Sequence, residues 1–226
     1  MLKLHSVLVT LVAALILSGC VGGGSPQENI YNVLEETVKK EKGFEKVQEP
    51  LVKLEKKEQE IFKKVIDLGM KEMDQIKELS NQALENIEKR EKYITNEVDS
   101  MNEAKKEFEK VSEYIGKIEE DSLKNQAKKL QEIMEDRFEN HEQLAKSYKE
   151  ALEKDKKLYE MLKKEDLTME QLQKQIAEIN KTYEEVLSIN KKYNDKTDQF
   201  NKEKLSFYKS AGIETNQDSE TASEEN

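Results

Sequence analysis

Apolar residues recur along most of the chain at helical spacing, three and four residues apart, and almost nowhere at the alternation a strand requires. The first seam runs Ile30, Val33, Phe44, Val47, Leu51, Leu54, Ile61, Val65, Leu68. Pro50 interrupts it by removing a backbone donor and pushing Glu49 away from helical backbone angles. The seam keeps its phase across Pro50, which predicts a kinked but continuing helix, with Gly43 as an aid to the bend. After Asp67-Leu68-Gly69-Met70 the phase changes. The second seam is Met73, Ser80, Ile87, Ile94, Met101, Phe108, Ile115, so a turn is predicted at Gly69, a suitable residue just past a helix end.

Gly116 to Ser122 is the next interruption, with Asp121-Ser122 as a new start. The third seam runs Leu123, Ala127, Leu130, Met134, His141, Leu144, Tyr148, Leu158, Leu162, and the fourth Leu172, Ile179, Val186, Tyr193, Phe200, Phe207, with Ile176 and Tyr183 beside it. Two helix starts carry capping boxes, in which a hydroxyl and an acid or amide three residues later satisfy each other's backbone donors: Ser25 with Glu28, and Thr168 with Gln171. Pro26 sits where a first helical residue needs no donor. Gly212 ends the last seam.

These marks cut the body into helices over about 26–67, 70–116, 121–164 and 168–211, each roughly 60–70 Å long at 1.5 Å per residue. Near-equal helices with short connections predict an all-α, elongated, antiparallel up-and-down bundle of four long helices. The alternative is three helices, with 51–118 as one rod that would overhang its partners and expose an apolar stripe.

Upstream of the body the pattern is different. Val7 to Leu17 is a run of eleven residues, apolar but for Thr10, after Lys3. A bilayer-spanning helix needs about 20 apolar residues, so the run predicts an export signal and not a durable span. It ends in Leu17-Ser18-Gly19-Cys20, where an ordinary signal would end in a site of the A-x-A kind. Cys20 is the only cysteine of 226 residues, which excludes a disulfide framework. A thiolate can become a thioether to a lipid, and the small Ser18 and Gly19 admit a peptidase to the bond before Cys20. Residues 1–19 therefore read as a lipoprotein signal peptide, Leu17, Ser18 and Gly19 as peptidase recognition residues, and Cys20 as the lipidated residue. Residues 20–25 form a short Gly/Ser tether. The bundle follows over 26–212, and 213–226 is an acidic tail expected to be disordered.

Composition sharpens this picture. The chain is 38% charged and 35% hydrophobic, with two prolines and no tryptophan, which suits narrow seams along helices and not a thick core. Net charge is −10, and it is about −6 for the body once Lys3 and the five acids of the tail are set aside. That sign argues against nucleic acid as a partner and against electrostatic adhesion to anionic lipid.

In an antiparallel bundle Glu97 falls opposite His141, and Glu41 and Asn190 share a level with Arg137 one turn away. These five predict a polar layer in an apolar seam. A metal or proton-switching site and a register-setting ion-pair layer are the two readings, and the second is favoured because the body holds one histidine and no repeated ligand motif. Arg90 also falls on a seam position, where a planar, multidentate donor suits such a layer better than lysine. The aromatics Tyr183, Tyr193, Phe200 and Phe207 read as core by their spacing, not as a sugar-stacking face; Tyr208 lies off the grid, which predicts exposure. The runs Lys39-Lys40 and Lys191-Lys192 read as solvated faces. No nucleophile set, phosphate loop or HExxH is present, so neither catalytic residues nor cofactors are expected.

From the lipobox through the Lys/Glu-rich helical body ending near Gly212, the chain resembles the YkyA-like cell-wall-binding lipoproteins of Gram-positive bacteria. The resemblance is sharp at Leu17-Ser18-Gly19-Cys20 and one of layout elsewhere. It implies a non-enzymatic helical bundle held by lipid on the outer face of the cytoplasmic membrane, with peptidoglycan or an envelope protein as partner. It transfers no catalytic residues. An adaptor that binds an envelope protein through a helical face is the alternative function.

Overall fold

A computed structural model of the chain describes residues 24–68 and 72–213. The signal, the lipobox and Cys20, the turn at Gly69 and most of the acidic tail lie outside the described residues. The fold is all-α, built of four long helical stretches packed antiparallel, with no strand among the described residues. Two of the stretches are interrupted. The first is α1 (Pro26–Lys40) and α2 (Lys42–Asp67), and the second α3 (Met73–Phe108) and α4 (Val111–Gly116); α5 (Asp121–Leu162) and α6 (Met169–Ser210) are unbroken.

The ends are fixed by the local chemistry read from the sequence. The Ser25 amide donates to Glu28 Oε2 at 2.9 Å and the Glu28 amide to Ser25 Oγ at 3.3 Å. The Thr168 amide donates to Gln171 Oε1 at 3.0 Å and the Gln171 amide to Thr168 Oγ1 at 3.2 Å. Each box satisfies donors that a helix start leaves open. At the other end of α6, Gly212 adopts φ +68°. The Ile213 amide donates back to the Tyr208 carbonyl at 2.9 Å and the Gly212 amide to that of Lys209 at 3.2 Å, the double closure that needs a residue at ease in the left-handed region. Between α4 and α5, Lys124 Nζ donates to the carbonyls of Gly116 and Ile118, both at 3.1 Å, and ties the turn.

Two features depart from the one-dimensional pattern. The first stretch is interrupted at Glu41, whereas α2 continues through Pro50 as the phase of the seam predicts. The interruption is held by a tertiary contact: Ser100 Oγ donates to the Lys40 carbonyl at 2.5 Å. The second stretch, expected as one helix to residue 116, tightens at Glu109-Lys110, where the amides of Lys110 and Glu113 bond three residues back and not four.

The chain packs as two compact units. Unit 1 comprises Gly43–Asp99 and Asn140–Lys192, and its core gathers Leu51, Ile61, Ile87, Leu152, Ile179 and Val186 with their neighbours. Unit 2 comprises the described residues up to Lys42, Ser100–Glu139 and those from Tyr193. Its buried residues include Ile30, Leu34, Phe108, Leu130, Met134 and Phe207. Each unit is a four-stranded helical bundle in its own right, and each large side chain fully buried in it contributes about 1.5–3 kcal/mol. Tyr208, expected at the surface, is 1% exposed. The reason is its partner on α1: its ring lies 5.1 Å from that of Tyr31, and its hydroxyl donates to Glu35 Oε1 at 3.2 Å.

Candidate functional site: two buried arginine centres

Both arginines of the chain are buried, one in each unit. In unit 2, Arg137 on α5 grips Glu41 with both terminal nitrogens, Nη1 to Oε1 at 2.6 Å and Nη2 to Oε2 at 2.9 Å. Its Nε donates to Thr197 Oγ1 at 2.9 Å and its Nη2 to the Tyr193 hydroxyl at 2.7 Å. The guanidinium carbon stands 4.9 Å from the centre of the Tyr193 ring. Burial is the strongest influence on this cation and opposes its charge, but the Glu41 carboxylate and Tyr193 outweigh it and hold the group above its ordinary pKa. Nearby, burial pushes the Lys204 amine below its ordinary value; Glu35 and Glu41 act against that and Arg137 acts with it.

The sequence-derived layer divides between the units. Glu41 and Arg137 meet in unit 2. Glu97 and His141 meet in unit 1, Nε2 to Oε1 at 2.9 Å, and Gln48 Nε2 donates to the other carboxylate oxygen at 3.0 Å. Phe44 closes this pair with its ring edge against the imidazole, 5.6 Å between centres. Asn190 is buried in unit 1, and its Oδ1 has no hydrogen-bond partner among the described residues. Beside Glu97 lies a cavity of about 30 Å³ whose polar lining is Gln48, Glu55, Glu97 and Tyr148, with Leu51, Ile94, Leu144 and Ala145 as the apolar walls. That is room for about one water molecule.

The densest polar constellation is centred on Arg90 of α3, which is 0% exposed. Its Nη1 pairs with Glu58 Oε2. Its Nε and Nη2 donate to the Tyr148 hydroxyl at 3.0 and 2.8 Å, and Nη2 also to the Tyr183 hydroxyl at 3.0 Å. Those phenols pass the contact on. Tyr148 donates to Glu55 Oε1 at 2.7 Å, and Tyr183 to Asp155 Oδ2 at 2.6 Å. Both carboxylates also stand 3.7 Å from the guanidinium. Burial again opposes the Arg90 charge most, and Tyr148, Tyr183, Glu58 and Glu55 together hold it well above its ordinary pKa. Burial pushes Tyr148 and Tyr183 up, which keeps the phenols neutral donors.

Sequence reasoning placed Arg90 on a seam but did not find its carboxylates. The signal was present. Glu58 occupies a seam position of the first stretch, and Asp155 the empty seam position seven after Tyr148. An acid at an apolar position asks for a buried base. Among the described residues, no group of three or more His, Cys, Asp or Glu side chains is arranged to hold a metal ion, and no helix is long and apolar enough to cross a membrane.

Residues 25–210 match the YkyA family, described as "Putative cell-wall binding lipoprotein". The chain is 38% identical over 199 residues to an uncharacterized lipoprotein, YkyA, of Bacillus subtilis (strain 168), a match covering 88% of this chain and 89% of that one. It is also similar in fold to a conserved protein of unknown function from Staphylococcus aureus, known from a crystal structure. There the TM-score is 0.72 at 18% identity, over 83% of this chain and 97% of the other.

Proposed function

The chain belongs to the YkyA family of lipoproteins, and from that premise we propose that it is a non-enzymatic, lipid-anchored protein of the outer face of the cytoplasmic membrane that binds the cell wall. The observation that carries the reading is the family match over residues 25–210 directly behind a lipobox at Leu17-Ser18-Gly19-Cys20. Peptidase cleavage before Cys20 and acylation of its sulfur leave the helical body on a five-residue tether, Val21 to Ser25. One acyl chain gives only marginal membrane binding, so two or more hold the protein.

The body supports binding and not chemistry. Its two arginines are tied into helix-to-helix contacts, Tyr148 and Tyr183 are held neutral, and the cavity beside Glu97 has room for a water and not for a sugar. Contact with a polymer then falls to the solvated faces of the helices.

Two measurements test this. Cys20→Ser is expected to move the protein from the membrane fraction to the soluble fraction, and unchanged fractionation overturns the anchor. The Cys20→Ser chain is expected to sediment with purified cell walls above a charge-matched helical control. Equal partitioning overturns wall binding, and a specific protein adduct on cross-linking in intact cells would replace it with an adaptor role.

A further inference from the structure

Unit 1 buries more acid than base. Around the Arg90 guanidinium stand three carboxylates, Glu55 and Glu58 from α2 and Asp155 from α5. The remaining titratable groups that face them are the phenols Tyr148 and Tyr159 of α5 and Tyr183 of α6. With Glu58 and Asp155 both ionised, the one Arg90 cation would face a negative charge more than it balances, out of water, a state far costlier than taking up a proton.

Asp155 Oδ1 is buried without a hydrogen-bond partner among the described residues. Tyr159 is near enough to Glu58 to feel its charge. An ionised carboxylate accepts only, and an unmet buried oxygen is expensive. The Tyr159 hydroxyl acts on Glu58 as a hydrogen-bond donor and favours its ionised form, whereas no such donor among the described residues meets Asp155 Oδ1.

We propose that Glu58 and Asp155 together hold at least one proton at neutral pH, so that unit 1 is a proton-binding element whose four helices tighten when the surroundings acidify. Burial, the largest influence on both acids, pushes them above the ordinary carboxylate range, and Arg90 opposes it without prevailing. The sign follows. Groups whose folded affinity for protons exceeds the unfolded one add stability that is fully present below the ordinary carboxylate pKa and is lost as pH rises through the folded one.

The test uses the full chain in detergent, with carboxyl-¹³C glutamate and aspartate. At about pH 7 the expected result is at least one carboxyl resonance, or its infrared carbonyl band, in the protonated form. It disappears in the Glu58→Gln/Asp155→Asn variant. The melting temperature of the unaltered chain falls between about pH 5 and about pH 9, and the double variant loses that slope. Complete ionisation of every carboxyl at about pH 7 overturns the proposal, as does a slope the variant retains. If the variant does not fold, the resonances of the unaltered chain decide alone.

Discussion

The two arginine centres differ in how charge is balanced. Arg137 meets one carboxylate in a two-pronged pair, with Thr197 and Tyr193 filling its remaining reach. Arg90 meets three acids, two of them through tyrosine hydroxyls that relay the contact. A buried ion pair that is stoichiometric can set register and do no more. A buried cluster with excess acid must either bind protons or come apart. The same residue type therefore gives unit 2 a fixed clasp and unit 1 a pH-dependent one.

Removing the cation separates the two most strongly. Arg90→Leu strands three acids in the core of unit 1 and is expected to cost at least the 3–5 kcal/mol of a broken buried pair. Arg137→Leu strands one acid, Glu41, at the edge of solvent and should cost less. Chemical denaturation of both variants ranks them, and the reverse order would dismantle the comparison. Next comes Glu41→Gln, which keeps the shape and loses the charge at Arg137. A loss of about 1.5–3 kcal/mol is expected, the range for hydrogen bonds to charged groups. A double-mutant cycle with Thr197→Val should then show coupling, since both partners touch one guanidinium.

The relays of unit 1 offer a smaller effect. Tyr183→Phe removes the donor that joins Asp155 to Arg90 and should lower stability by about 1–3 kcal/mol, more at high pH than at low. An equal loss at both ends of the pH range would show that Asp155 does not titrate. The smallest expected change is Thr168→Ala at the cap of α6, about 1 kcal/mol and independent of pH. Met169, 66% exposed beside it, should accept a serine within about 0.5 kcal/mol.

Helix starts and stops were legible in the residues because they depend on neighbours three or four positions away. The Ser25 and Thr168 boxes and the Gly212 closure stand where local chemistry puts them. The interruption at Glu41 was not legible, since the hydroxyl that secures it comes from Ser100, 60 residues away. Tyr208 misled for a similar reason. Its position is off the seam of its own helix, but Tyr31 and Glu35 of α1 cover it.

Periodicity along the chain thus determined that the body of this protein is a set of packed helices, because burying a stripe every three or four residues leaves a helix no other option. Which charges share a core was decided only in three dimensions. Glu58, Arg90 and Asp155 each read as one polar fault in an otherwise apolar seam. Packing brought the three faults into a single desolvated volume, where their charges can no longer be settled separately.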